Sequence, residues 1–400
     1  MQTNHHQIVI LGAGYTGMLC AIRLARRTRR HPVQIVLVNP VDRFTERLRL
    51  HQLAAGQALP GHRITDLLAG TGVTFVRGTA TTIDTAGRQV TVDSVGPLRY
   101  DTLVYALGSK ADTGIVPGAD RYAYTLDDPG TAYRFSARLA DLSAAGGGTV
   151  AVCGGGLTGV EAAAEIAESH PALRVILLSR DVPGSMMGDR ARTHLHRALA
   201  RLGVTCRTGV TVARVLPDAV ELDGGGRVDA DVCLWTAGVR VSPLAAEAGI
   251  ETDPGGLVVV DDALRSVSHP QVYAVGDAAA IRQPWGRVHG TCQSGVPSAA
   301  HAADTIARRL RGRPGRPFRF GYVHQPVSLG RRNAVIQFTH ADDTPRRWYL
   351  AGRPAAAYKE LVNCSPLRLY RLSRRVNVSL ALTRGGRTAR TGGAAVRMDR

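Results

Sequence analysis

Two short stretches of this chain have the residues needed to hold a pyrophosphate. Gly12-Ala13-Gly14-Tyr15-Thr16-Gly17 and Gly154-Gly155-Gly156-Leu157-Thr158-Gly159 both read G-x-G-x-x-G. In such a turn the first glycine permits the tight bend. The second has no Cβ, so the backbone can approach a phosphate, and the third lets the following helix pack closely on the preceding strand. The helix that opens there offers free N–H groups and its positive dipole end to an anion. One copy could equally be a glycine-rich bend in any α/β domain. Two copies with matching flanks point to two dinucleotide sites in one chain.

The flanks are those the turn requires. Residues 7–11 are apolar and β-branched, 18–27 place Leu19, Ile22 and Leu24 at helical spacing, and 33–38 form a buried-strand run. Residues 149–153, 160–168 and 174–178 repeat that strand, helix, strand order. Residues 90–93 and 98–107 read as a hairpin. An amphipathic helix is expected over 298–310, a Pro/Gly/Arg-rich hinge over 311–317, and a helix around 355–362.

The chain has 400 residues, and 44% are hydrophobic, enough for two or three packed domains. It holds 50 Lys and Arg against 32 Asp and Glu, a formal net charge of +18. Residues 301–400 carry 21 basic and 5 acidic residues, so +16 of that charge lies in the last quarter. Lys110 and Lys359 are the only lysines. No apolar run approaches the roughly 18–20 residues of a spanning helix, and the first residues do not read as a secretory signal. Cys20, Cys153, Cys206, Cys233, Cys292 and Cys364 form no C-x-x-C or zinc spacing, as expected of free thiols in a reducing cytoplasm.

Taken with Ala106–Ser109, Thr236–Gly238 and Tyr273-Ala274-Val275-Gly276-Asp277, the two turns resemble the two-dinucleotide-fold flavoproteins. The likeness is greatest to type II NADH dehydrogenases and apoptosis-inducing-factor-like oxidoreductases. It implies an α/β fold of two Rossmann-like domains plus a smaller C-terminal α+β domain. Residues 1–112 and 257–316 would bind FAD and residues 113–256 NAD(P). Residues 317–378 would form the C-terminal domain, and 379–400 a disordered basic tail. It further implies that Gly12, Gly14, Gly17 and Asp277 hold FAD, and that Gly154, Gly156 and Gly159 hold the coenzyme pyrophosphate. Glu161 would orient the nicotinamide, and Gln293 would lie beside the isoalloxazine. Asp277 has the alternative of a strand-end turn acid, and Glu161 that of an acid placed for the helix dipole.

The departures from the family pattern are informative. The family's disulfide reductases carry C-x4-C after the second strand, whereas residues 42–52 here contain no cysteine, so a thiol relay is excluded there. Asn39 replaces the usual acid at the end of the first unit's second strand and can still accept from a ribose through its amide oxygen. Ser179-Arg180 replaces the acid of the second unit. A hydroxyl and a guanidinium suit a 2′-phosphate and favour NADPH over NADH, unless Arg180 is only a solvated turn residue. In the quinone-lining stretch, Gln293 matches while Pro297 and Ser298 replace two glutamines.

The expected activity is passage of hydride from NAD(P)H to flavin and on to a quinone-like acceptor. The alternative is reduction of a ferredoxin-like acidic carrier or of a specialised small molecule. The basic C-terminus could dock that carrier. It could also lie on an anionic membrane from the cytoplasmic side, through Leu369, Leu372 and Val376 among Arg368, Arg371, Arg374 and Arg375. Packing of those leucines on their own domain is equally open, and so is a homodimer. Nucleic acid is not expected, because the basic region has little aromatic interleaving.

Overall fold

A computed structural model describes residues 5–378 and Leu380, and the rest of the tail expected at 379–400 lies outside the described residues. The chain opens with β1 (His6–Leu11), α1 (Tyr15–Thr28), β2 (Val33–Asn39), α2 (Leu50–Ala54), β3 (Thr74–Arg77) and β4 (Thr102–Tyr105). A second unit follows as β5 (Ala123–Thr125), α3 (Pro129–Ala144), β6 (Gly148–Cys153), α4 (Leu157–Ser169), β7 (Leu173–Ser179), β8 (Thr205–Thr208) and β9 (Val232–Trp235). The chain then returns with β10 (Val272–Ala274) and α5 (Cys292–Arg309). It finishes with β11 (His324–Ser328), β12 (Ala334–Thr339), β13 (Pro345–Ala351) and α6 (Gly352–Arg375).

The two units share one plan. The first parallel sheet runs β10-β4-β1-β2-β3 and the second β5-β9-β6-β7-β8. Residues 8–11 and 150–153 are fully buried, as expected of strands covered on both faces. Each turn leaves its sheet by the same bonds. Gly12 N–H donates to Val38 O at 2.8 Å and Gly154 N–H to Leu178 O at 2.9 Å. Because β10 completes the first sheet, the second unit lies within the sequence of the first. Helix α1 packs on α5, where Arg23 and Arg27 both bond Asp304.

Two helices are longer than the sequence suggests. Helix α5 begins at Cys292 rather than Ser298. The Thr291 side chain accepts from Ser294 N–H and the Ser294 side chain from Thr291 N–H, a reciprocal cap strong enough to start the helix ahead of Pro297. Helix α6 runs from Gly352 through Pro366 to Arg375. Proline cannot donate to the Val362 carbonyl, and Ser365 Oγ does so instead at 2.8 Å. Helix α6 buries Ala355, Lys359, Asn363, Pro366, Tyr370 and Ser373, a stripe at spacings of three and four. Of the apolar face expected beyond Pro366, Leu372 and Val376 are exposed and Leu369 is half-buried against the hydrophobic core around the first sheet.

Candidate functional site

The six motif glycines divide into two kinds. A Cβ on Gly12 would stand 2.5 Å from Ala106 O, and one on Gly17 would overlap Gly12 O. Gly154 and Gly159 repeat this against Thr236 and Gly154 O. Those four serve packing, and Gly12 and Gly154 also have φ of +95° and +123°, a region open to glycine at little cost. Gly14 and Gly156 differ, since a Cβ on either would meet nothing within 4 Å. Both are helix N-caps with no side-chain cap bond, and neither helix has an acid in its first turn. The leading N–H groups of α1 and α4 therefore face open space unanswered, which fits a pyrophosphate at each. Helix α5, by contrast, is closed by its own side chains.

The other first-site residues gather round the first turn. Asn39 Oδ1 accepts from Ala13 N–H at 2.9 Å and Nδ2 donates to Val41 O at 2.8 Å. Its amide therefore braces the turn, and the Nδ2 bond is one an acid there could not make. Asp277 Oδ2 accepts from Ser109 Oγ at 2.8 Å. Its neighbour Gly276 is close enough to Thr16 that a Cβ would come within 2.7 Å of Cγ2, and Gly295 would come within 2.8 Å. Asp277 thus borders the first turn.

At the second site Ser179 is buried against Gly155, and its hydroxyl donates to Asp181 O at 2.6 Å. Arg180 is 81% exposed, with Nε 3.7 Å from Asp181 Oδ2. The acid missing from the expected position thus stands two residues on and offsets the guanidinium.

Glu161 and Gln293 meet through β11. Gln293 Oε1 accepts from Val323 N–H at 2.7 Å and Nε2 donates to His324 O at 2.9 Å, so its amide clamps the start of that strand. Glu161 Oε1 accepts from Ser328 N–H at the far end, at 2.8 Å. Between them Lys359 Nζ reaches Pro326 O at 3.3 Å and Glu161 Oε1 at 2.8 Å. His51 Nδ1 lies 3.9 Å from Glu161 Oε2. Burial pushes the Glu161 carboxyl up, but Lys359, His51 and the Ser328 N–H outweigh it and hold it below its ordinary value. Burial drives His51 down to about 4 against the pull of Glu161, so the imidazole is neutral near pH 7. Where the disulfide reductases keep their cysteines, the chain has Glu46, Arg49 and His51 instead. Arg49 pairs with Glu360 of α6, and its Nη2 donates to Cys364 Sγ at 3.1 Å.

Lys359, His51 and Arg49 were not among the residues expected from sequence. The available signal was compositional: Lys359 is one of two lysines in a protein whose other side-chain cations are arginines, and it falls on the buried stripe of α6.

The comparisons with known proteins agree with this fold. An NADH dehydrogenase-like protein of Mycobacterium tuberculosis is 32% identical over 380 residues, covering 89% of this chain and 93% of that protein. A type II NADH:quinone oxidoreductase of Staphylococcus saprophyticus is 24% identical, covering 91% and 95%. Plasmodium falciparum NDH2, solved in complex with NADH, superposes with a TM-score of 0.79 at 15% identity, covering 94% of this chain and 100% of that one. FAD with NAD(P)H is the cofactor set of such a fold. The pyridine nucleotide-disulphide oxidoreductase profile matches residues 6–305, so the chain belongs to that family as a flavin-dependent oxidoreductase.

Proposed function

We propose that the chain is an NAD(P)H dehydrogenase that holds FAD at the first turn and the coenzyme at the second, and delivers electrons to a quinone-like acceptor. The observation that carries this reading is the pairing of two uncapped helix N-termini with a buried Glu161–Lys359 ion pair where α4, β11 and α6 meet. FAD, when bound, accepts hydride from NAD(P)H and yields two electrons onward.

The chain's own residues bind, orient and hold charge. The α1 and α4 amides take the two pyrophosphates, with Gly14 and Gly156 leaving room for them. Asp277, oriented by Ser109, accepts from FAD hydroxyls near the first turn. Glu161, kept ionised by Lys359, would accept from the carboxamide of the nicotinamide and so orient it. Lys359, buried at this junction, would stabilise negative charge building on an acceptor bound there. With no cysteine in residues 42–52, electrons go straight to the acceptor. Relatives named as NADH:quinone oxidoreductases, and one named demethylphylloquinone reductase in Synechocystis, support the quinone class. The test is anaerobic titration of the yellow protein with NADH and NADPH, followed by reoxidation with a soluble quinone. A colourless protein that FAD does not reconstitute overturns the reading.

A second reading, docking of an acidic electron carrier, draws on the arginine-lined hollow of Arg27, Arg308, Arg311, Arg313 and Arg316 between the ends of α1 and α5. Salt-sensitive reduction of an added ferredoxin without quinone activity would favour it. Trp348, 77% exposed, and the exposed Leu361 and Leu372 are candidates for contact with an anionic membrane. Among the described residues no helix is long and apolar enough to span one.

A further inference from the structure

A cleft of about 250 Å³ opens where the β11–β12 turn and α2 meet α6. Gln52, Arg331, Arg332, Arg353, Lys359 and Asn363 are among its lining residues. The charges around it do not balance. Lys359 is answered by Glu161 at 2.8 Å. Arg331 has Nε 3.8 Å from Oε1 of the buried Glu165, and its N–H donates to Glu168 Oε2 at 2.6 Å. Glu360, the acid of the lining, is already held by Arg49. Arg332 and Arg353 are both exposed, and among the described residues neither pairs with an acid. Two guanidiniums at the open side of the cleft are thus left unanswered.

A second, independent sign lies deeper. Asn363, one turn beyond Lys359 on α6, is 2% exposed, and its Oδ1 is buried without a hydrogen-bond partner. Such an oxygen is costly until something donates to it. Lys359 also has a donor to spare. Its ammonium has three N–H groups and spends two, on Glu161 Oε1 and Pro326 O. Arg353 precedes Lys359 by six residues on the same helix, roughly 9 Å along its axis. The cleft therefore offers polar groups on its buried side and unpaired positive charge on its exposed side.

We propose that the acceptor this chain reduces carries an acidic group, a carboxylate, sulfonate or phosphate, which Arg332 and Arg353 hold while its ring lies toward Lys359 and Asn363. The inference rests on the quinone-like acceptor proposed above and specifies its charge. A guanidinium meets such an oxyanion through two parallel hydrogen bonds, which a neutral quinone cannot supply. Cations at the opening also raise the local concentration of an anionic acceptor and speed its arrival. The reaction is unaltered: NAD(P)H, one proton and the quinone give NAD(P)⁺ and the quinol, and the acidic group gains and loses nothing. Asn363 Oδ1 accepts from a hydroxyl that the quinol gains.

The experiment compares FAD-loaded full-length wild type with R332A/R353A and R332E/R353E. The acceptors are 1,4-naphthoquinone-2-sulfonate and its neutral 2-methyl counterpart, and the readout is the ratio of their kcat/KM values. In wild type the ratio should favour the sulfonate at low salt and fall as salt rises. In R332A/R353A it should drop about tenfold at low salt, through KM for the sulfonate, and further in R332E/R353E. Flavin reduction by NADH and by NADPH should keep the wild-type rate in both variants. A ratio that neither salt nor the substitutions change overturns the proposal, as does wild type that reduces the neutral quinone alone. An equal loss with both quinones also overturns it, showing a structural role. Loss of flavin reduction confined to NADPH overturns it too, giving the arginines to the 2′-phosphate of the coenzyme. Wild type that passes electrons to ferricenium, a cation, and to neither quinone instead fails the functional reading on which the proposal stands.

Discussion

Lys359 Nζ stands 2.8 Å from Glu161 Oε1, and both side chains are buried. The pair joins the last helix of the described chain to the helix that opens at the second dinucleotide turn. Lys359 also reaches Pro326 O, so one ammonium ties α4, β11 and α6 together.

Removing half of a buried pair leaves an unanswered charge. Lys359→Met should lower stability by about 3–5 kcal/mol in chemical unfolding. Pairing it with Glu161→Gln should recover most of that loss. The ionised Glu161 has a folded pKa below its unfolded value. Its contribution is therefore full above the ordinary carboxylate range and is lost as pH falls through the lowered value. A Lys359→Met protein as stable as wild type would show that the contact carries little energy.

The two kinds of motif glycine should separate in one experiment. Gly17→Ala forces a Cβ into Gly12 O and should cost the flavin-free protein about 1–3 kcal/mol. Gly14→Ala meets only open space, so the flavin-free protein should unfold as wild type does. Its FAD affinity should still fall about tenfold, since the Cβ occupies the approach to the phosphate. Equal stability losses in both variants would contradict this division.

Coenzyme choice turns on Arg180 and Asp181. Arg180→Ala should raise KM for NADPH about fivefold, roughly 1 kcal/mol for an exposed charge, and leave NADH nearly unchanged. Asp181→Ala frees the guanidinium and should shift preference toward NADPH. Identical effects on both coenzymes would place Arg180 away from the 2′ position.

His51, buried, and His324, half-buried, should dominate acid sensitivity. Burial drives both His51 and His324 down to about 4. Glu161 pulls His51 back up, while Lys359 helps to lower His324. Between that value and 6.5 the unfolded chain binds more protons than the folded one, so stability falls as pH is lowered through this window. His51 alone should account for about 3 kcal/mol between pH 7 and 4. Unfolding midpoints measured across that range should flatten in His51→Gln.

Much of this architecture was legible in the sequence because it rests on local rules. The G-x-G-x-x-G turns announce their strands and helices within a few residues, and the close approaches of Gly12, Gly17, Gly154 and Gly159 follow from that geometry. The start of α5 was misplaced because Pro297 masks the cap formed by Thr291 and Ser294. The length of α6 was missed because Pro366 reads as a stop, and the Ser365 bond that compensates for it is visible only in three dimensions. Lys359, Arg49 and Glu165 were not foreseen because their partners come from distant segments, and no spacing rule brings residue 359 to residue 161. Asn39 was anticipated as a ligand contact, and its bracing of the turn through Ala13 N–H was not.

The first sheet draws its outer strand, Val272–Ala274, from beyond the whole second unit. On a ribosome the second sheet therefore emerges with all its strands while the first still lacks an edge strand and the α5 helix that covers α1. The usual order, in which the N-terminal domain folds first, is inverted here. The N-terminal half must wait as an open sheet, its apolar β4 edge unpaired, until more than two thirds of the chain has been made. Vectorial synthesis thus sets a window in which a chaperone, or early capture of its cofactor, would matter most.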